Sequence, residues 1–408
     1  MSEILHRTQV NNVQSIKRKH KMKIIKLLSI VLVGLTMFAC QNEGAKETAD
    51  KATVAPKEIE QPQDSKPWFK FRGNIQNTGI ATSNVHPEKS DLLWKVKANA
   101  RISTSPSVAY DMVFFGAADS IFYAVKADSG EVVWEFPTGG DIRSNPYVGE
   151  KNVYFGSSDG VFYAVSRKSG RESWKYQTGD IIMSSPTVLD DNVFFGSYDG
   201  NFYCLNKETG KKVWSFKTAD AIYSSAAIAD GKIAFGSMDH YLYVLDVKTG
   251  DLVWKFKAKE GIGSSPAIAH GNIYFGCDDH AMYALNFSTG KAIWNKPFQT
   301  SAPINSSPAV DDKHVYFGSY DYRFYALNIN TGEKEWEFTA TQVIHSSPVV
   351  SNGIVVFGCD DNNLYGLKTA TGKEAWHYTA VDRVHTSPAV YEGKIFVASF
   401  DGHLYCIR

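Results

Sequence analysis

Trp94, Trp134, Trp174, Trp214, Trp254, Trp294, Trp336 and Trp376 recur every forty residues, with one step of forty-two, and only Trp68 falls outside the series. A fixed period in the forties means one supersecondary unit repeated, which restricts the chain to a closed or stacked array. One copy, Ile182 to Trp214, reads IMSSPTVLDDNVFFGSYDGNFYCLNKETGKKVW. Four short β-rich runs in it are separated by turn signals at Asp190-Asp191-Asn192, Gly196 to Gly200 and Glu208-Thr209-Gly210, and no helical period interrupts them. Four strands per repeat predict an all-β fold built of four-stranded antiparallel propeller blades.

The copies number eight, each with a turn aspartate, from Asp119 to Asp401, and a strand tyrosine four residues later. Seven of the tryptophans follow a glycine by four residues, as Trp214 follows Gly210, but Trp94 follows Ser90. The last copy stops after its third strand, at Tyr405 to Arg408. An eight-bladed β-propeller whose last blade is completed by the N-terminal strand Asp91 to Lys97 therefore accounts for both anomalies and leaves no large open edge. The fixed Ser/Thr-Gly pairs, aspartates and aromatics are read as scaffold, since tight turns and inter-blade packing need these residue types.

Positions that vary in fixed surroundings are the candidates for function. Each copy has an invariant Ile or Val, Ile102 to Val384, flanked by two variable residues. Alternation at period two puts the fixed row between blades and the variable rows on the axial channel. Arg101, Arg143, Arg383, His345 and His385 then form one cationic arc, because the last blades adjoin the first. Asp141, Tyr223 and Asn305 share the same rows. The residue after each turn aspartate varies too, while the Ser/Thr-Gly turns at the other end hardly do. The variable face is thus the expected recognition face, suited to an anionic ligand or an acidic peptide. Two histidines are too few for a metal site, so no metal is expected.

The ends carry their own signals. Lys23 to Cys40 reads KIIKLLSIVLVGLTMFAC, a basic start and a short apolar run. That suits a signal peptide better than a membrane span. Met22 is the expected true start, with residues 1–40 as signal peptide, 41–66 as a polar tether, 67–91 as a lead-in and 92–408 as propeller. Formal net charge is zero, with 43 basic and 43 acidic residues, and no basic cluster marks the propeller, which excludes a nucleic-acid binder. Four cysteines beyond Cys40 sit far apart in the repeat array, so no disulfide is expected.

The Thr-Gly-Lys-x-x-Trp segments, as at Thr209 to Trp214, and Phe195 to Gly200, FGSYDG, resemble the PQQ-like (pyrroloquinoline quinone-like) propeller repeat from Leu92 to Arg408. Trp68 to Gly79, WFKFRGNIQNTG, resembles the lead-in of such propellers in bacterial lipoproteins. Met37-Phe38-Ala39-Cys40 resembles a lipobox, which implies lipidation at Cys40. The plan is similar to the lipid-anchored scaffold branch typified by the outer-membrane assembly lipoprotein BamB. That resemblance implies a non-catalytic, monomeric protein of the cell envelope, anchored to the outer membrane and facing the periplasm. It implies an envelope protein partner, contact with the membrane through the lipid alone, and no cofactor. The other branch, the quinoprotein oxidoreductases, would place pyrroloquinoline quinone on the propeller axis. This chain lacks their adjacent cysteine pair and their long insertions. A ligand-sensing lipoprotein is the third reading.

Overall fold

The computed structural model describes residues 67–86 and 88–408. The signal peptide expected over 1–40, with Cys40, and the tether over 41–66 lie outside the described residues. Among the described residues the fold is all-β: thirty-two strands form eight four-stranded sheets. Blade 1 runs Ser107–Ala109, Met112–Gly116, Ile121–Lys126 and Val132–Pro137, each strand antiparallel to the next. Blades 2 to 7 repeat this order. Blade 8 is Ala389–Tyr391, Lys394–Ala398 and His403–Ile407, and its outer strand is Leu92–Lys97, antiparallel with Trp94 opposite Cys406 and Lys97 opposite His403. The ring closes as its sequence requires.

The invariant positions each join one blade to the next. The Ile/Val row from Ile102 to Val384 is fully buried. A Cβ on Gly156 would overlap Ile182 of the following blade, which is why that strand ends in glycine. Seven of the eight indoles lie on the turn glycine of the next blade, Trp94 on Gly130 included, while Trp376 lies against Gly366 of its own blade. Trp134 Nε1 donates to the Arg167 carbonyl across the same seam at 3.0 Å. Every turn aspartate except Asp401, which lacks the third, has three tasks. Asp159 accepts from the Val161 N–H of its own turn, from the Tyr163 hydroxyl, and from the Gly139 N–H of the link leaving blade 1, all at 2.8 Å. The tyrosine's polar handle is thereby satisfied within its blade. Cys204, Cys277, Cys359 and Cys406 are single and buried.

A second circuit runs round the axis. The N–H of Ser185 donates to Ser225 Oγ of the next blade, Ser225 to Ser265, Ser265 to Ser307, Ser307 to Ser347, Ser347 to Ser387 and Ser387 to Ser105. Asn145 replaces serine in blade 2 and spans the gap, accepting from Ser105 N–H and donating to Ser185 Oγ. The second serine of the repeat is therefore fixed by a closed ring of hydrogen bonds that only eight complete blades can make.

One outer strand departs from the pattern. In blade 5 the outer strand is broken into an isolated bridge of Ala292 to Leu285 and a short strand, Phe298–Gln299, because the forty-two-residue step inserts chain between them and Pro297 has no N–H to donate. Trp294 keeps its place regardless, buried and bonded to the Ile329 carbonyl at 2.9 Å.

The lead-in is a plug. Trp68 and Phe69 accept from Val108 and Val148, Ile75 and Gln76 from Ile228 and Ile268, and Thr78 and Gly79 from Val310 and Val350. These donors belong to the innermost strands of blades 1, 2, 4, 5, 6 and 7, so the segment follows the ring and satisfies an edge that would otherwise face the channel. Its loop carries two buried cations. Arg72 donates to the carbonyls of Pro348 and Pro308, and Lys70 Nζ donates to Asn77 Oδ1 at 2.6 Å. Asn77 donates in turn to the Ser225 and Pro266 carbonyls. Among the described residues no carboxylate pairs with Lys70 or Arg72.

That burial has a measurable consequence. Desolvation, with the Arg72 charge second, pushes the Lys70 ammonium from 10.5 down to about 7. Between those values the unfolded chain binds more protons than the folded one, so this group makes stability rise with pH, by up to about 1.4 kcal/mol per unit. Lys70→Met removes the charge and keeps the bulk. In urea unfolding at about pH 7, 8 and 9 the wild type should gain on the variant at each step. Parallel pH profiles would show that Lys70 is not held in this way.

Candidate functional site

Within a blade, the start of the first strand and the turn between the second and third lie at one end of the sheet. The backbone ties them: Ala118 N–H donates to the Arg101 carbonyl, Ser158 to Asp141, Tyr198 to Ile181 and Phe400 to Arg383. The two variable rows are thus joined at the channel mouth by a third row, the residue before each turn aspartate. Its members include Tyr198, Asp278, Tyr320, Asp360 and Phe400, all half-buried. The sequence reading passed over this row as part of the turn. Its variability was visible, as was the recurrence of Gly-Cys-Asp-Asp at Gly276 and Gly358. The plug's backbone bonds fall on Val108 and its equivalents, further along the innermost strands than the variable rows.

Most of the candidate residues meet in one wall across blades 6, 7, 8 and 1. Asn305 donates to the Tyr320 hydroxyl at 3.0 Å, and the Tyr320 ring sits 4.4 Å from His345. His345 lies 4.0 Å from His385, centroid to centroid, and His385 stacks on Phe400 at 4.8 Å. The Arg101 guanidinium covers Phe400 at 5.6 Å. Arg383, His345 and Asp360 line a cavity of about 600 Å³. Arg143 stands apart, 3.7 Å from Asp141 in an exposed pair. Tyr223 stacks on Tyr198 at 4.3 Å on the far side.

The arc is not uniformly cationic, which corrects the sequence expectation. Asp360 is placed between the histidines, 3.2 Å from His385 Nδ1 and 3.6 Å from His345 Nε2. Burial first, then His385, pushes His345 from 6.5 down to about 4, with Arg383 adding to the shift and Asp360 opposing it. His345 is therefore neutral at neutral pH. Burial alone would raise Asp360, but the His385 hydrogen bond and the neighbouring His385, His345 and Arg383 charges hold it below its usual range. In blade 5, Asp278 goes the other way: burial, then Asp279 and Glu260, raise it, and its buried Oδ1 has no partner. The permanent positive charges of the mouth are its arginines.

A planar tricarboxylate such as pyrroloquinoline quinone does not fit this mouth well. The rings that could flank it lie against one another, Tyr198 stacked on Tyr223 and His345 tilted against His385, and the four described cysteines are buried and never adjacent. The arginines could take its carboxylates, but the aromatic rings that would face its ring system are already paired with one another.

Comparison with known proteins places these features. The profile of the family described as outer membrane protein assembly factor BamB matches residues 83–226, 179–262 and 238–408. No curated protein sequence matches the chain significantly. The fold is similar to the crystal structure of BamB from Moraxella catarrhalis, with a TM-score of 0.69 and 16% identity over 78% of this chain and 99% of that one. It is similar to quinohemoprotein alcohol dehydrogenase from Comamonas testosteroni, with a TM-score of 0.73 and 12% identity over 84% and 80%. It is equally similar to the computationally designed Ika8 protein, with a TM-score of 0.69 and 16% identity over 78% and 99%. Likeness at these identities establishes the fold and leaves function to the site.

Proposed function

The chain belongs to the family of the outer membrane protein assembly factor BamB, and from that premise we propose that it is a non-catalytic, lipid-anchored scaffold of the cell envelope. Its variable face would hold a protein partner in outer-membrane protein assembly. The observation that carries this reading is the contrast between the two ends of the propeller. One is a funnel lined by three variable rows; the other is built of near-identical turns. The anchor rests on Cys40 in its lipobox-like setting, with 41–66 as tether, the outer membrane as location and the periplasm as the space faced. The protein needs no cofactor to do this. An acidic or otherwise anionic partner surface suits Arg101, Arg383 and Arg143, which offer forked donors from adjacent or neighbouring blades.

Purification from its own host, with mass spectrometry of what accompanies it, tests the reading. Stoichiometric outer-membrane assembly proteins support it, and a bound quinone would replace it with the oxidoreductase alternative. Arg101→Ala/Arg143→Ala/Arg383→Ala is expected to lose the partner while melting at an unchanged temperature, with the larger loss at low ionic strength. Lys211→Ala/Lys291→Ala/Lys373→Ala, on the turns at the opposite end, is the control. Loss of the partner in the lysine variant alone would move recognition to the other face. Fatty-acid label that persists in Cys40→Ser would remove the anchor from the reading.

A further inference from the structure

Three side chains at the channel mouth are arranged as metal ligands. His345 and His385 begin the innermost strands of adjacent blades, and Asp360 comes from the turn of blade 7. One donor atom of each lies within 4.8 Å of the others. The carboxylate is 3.2 Å from His385 Nδ1 through Oδ1, and 3.6 Å from His345 Nε2 through Oδ2. Donors bound at about 2.1 Å to a tetrahedral centre stand about 3.4 Å apart, so both edges are near the required length before any ion is present. We propose that His345, His385 and Asp360 bind one divalent transition-metal ion of the zinc type, with the fourth coordination position open to the channel.

Chemistry and support both favour the assignment. Two imidazoles and one carboxylate form an N₂O set, which suits zinc and its first-row neighbours and is poor for calcium or magnesium, which take six or more oxygens. Each ligand is fixed by a neighbour: Tyr320 against His345, Phe400 against His385, and the backbone bond from Asp360 N–H to the Val343 carbonyl. The ion would also supply the one thing this cluster lacks. At present the two imidazoles lie tilted against each other and share one carboxylate; with an ion bound, the facing nitrogen of each has a strong partner. Arg383 works against added positive charge here, but it also lines the cavity onto which His345 and Asp360 open. There it would favour an anionic fourth ligand such as a carboxylate.

The test is a metal titration of the purified protein after chelation and dialysis, with Co²⁺ as the probe and Zn²⁺ as competitor. One Co²⁺ per chain is expected, with the intense visible absorption of a four- or five-coordinate nitrogen–oxygen site, displaced by Zn²⁺. Loss of an outer-shell partner costs ten- to a hundredfold in affinity. Removing a ligand should cost at least that, so His345→Ala, His385→Ala and Asp360→Asn should each weaken binding tenfold or more. His280→Ala, on the same face in blade 5, should leave it unchanged. The wild-type titration decides the matter even if a variant folds poorly. No saturable site in the wild type, or only the weak spectrum of a six-coordinate ion, overturns the proposal. So does a site untouched by all three ligand substitutions, which would leave a hydrogen-bonded His–Asp–His cluster only.

Discussion

Deleting Leu92–Lys97 is expected to leave a protein that aggregates rather than one that melts a little lower. The segment is the outer strand of blade 8, paired over its length with His403–Ile407. Without it the third strand becomes an edge, with a row of free N–H and C=O groups facing water. The loss continues past that sheet. Trp94 packs beside Phe396 at 5.9 Å and on the Gly130 turn of blade 1, so its removal also opens the seam between the last blade and the first. Trp94 is half-buried, less enclosed than Trp294, so Trp94→Ala alone should fall near the lower end of the roughly 3–5 kcal/mol for a core tryptophan. Comparing the deletion and Trp94→Ala by size-exclusion chromatography and thermal melting separates strand from side chain. A monomeric deletion protein with the wild-type melting temperature would mean that the ring is held shut by something else.

Gly332→Ala is expected to cost several times more than Gly231→Ala, although both glycines have a positive φ, +73° and +70°. An alanine at either site meets the backbone penalty, about 1 kcal/mol in a turn that tolerates it. At Gly231 a Cβ would touch nothing within 4 Å, and the same turn in blade 1 holds Asp111 at φ +58°. At Gly332 it would enter the indole of Trp294, with Cε3 2.7 Å away. That indole is 4% exposed and tied to the Ile329 carbonyl, so it cannot swing aside. Overpacking of a tight interior adds about 1–3 kcal/mol, and the total should reach roughly 3 kcal/mol. Chemical denaturation of the two variants measures the difference. Equal losses would show that the repeated glycine is kept for its turn and not for the tryptophan of the blade before.

The repeat explains how much could be read in advance. Eight copies of one unit serve as their own alignment, so strand order, closure by Leu92–Lys97 and the channel-facing rows all followed from what recurs and what varies. The same comparison has nothing to say about a segment present once. Trp68 to Gly79 was recognisable as a lead-in, but nothing in it announced that its carbonyls would meet the inner strands of six blades, or that Lys70 and Arg72 would be buried. Asp360 escaped for a different reason. It stands next to Asp361, whose turn role is plain, and adjacent aspartates in a turn suggest a solvated pair. Only the coordinates show one carboxylate pointing into the turn and the other into the channel, between two histidines. The sign of the arc failed for the same cause: charge can be counted in a sequence, but the burial that keeps His345 neutral cannot.

The plug and the closing strand share a property that bears on how such a chain matures. Both precede every blade in the order of synthesis, yet neither can be satisfied until the blades exist. Leu92–Lys97 needs His403–Ile407, and Gly79 needs Val350. A nascent chain therefore carries two incompletely satisfied segments ahead of blade 1 until the last blades have been made. A product cut short within the last blade would retain most of its hydrophobic cores and still present an open edge. Closure thus depends on the third strand of blade 8: a copy without His403–Ile407 leaves Leu92–Lys97 unpaired, and the complete ring covers it.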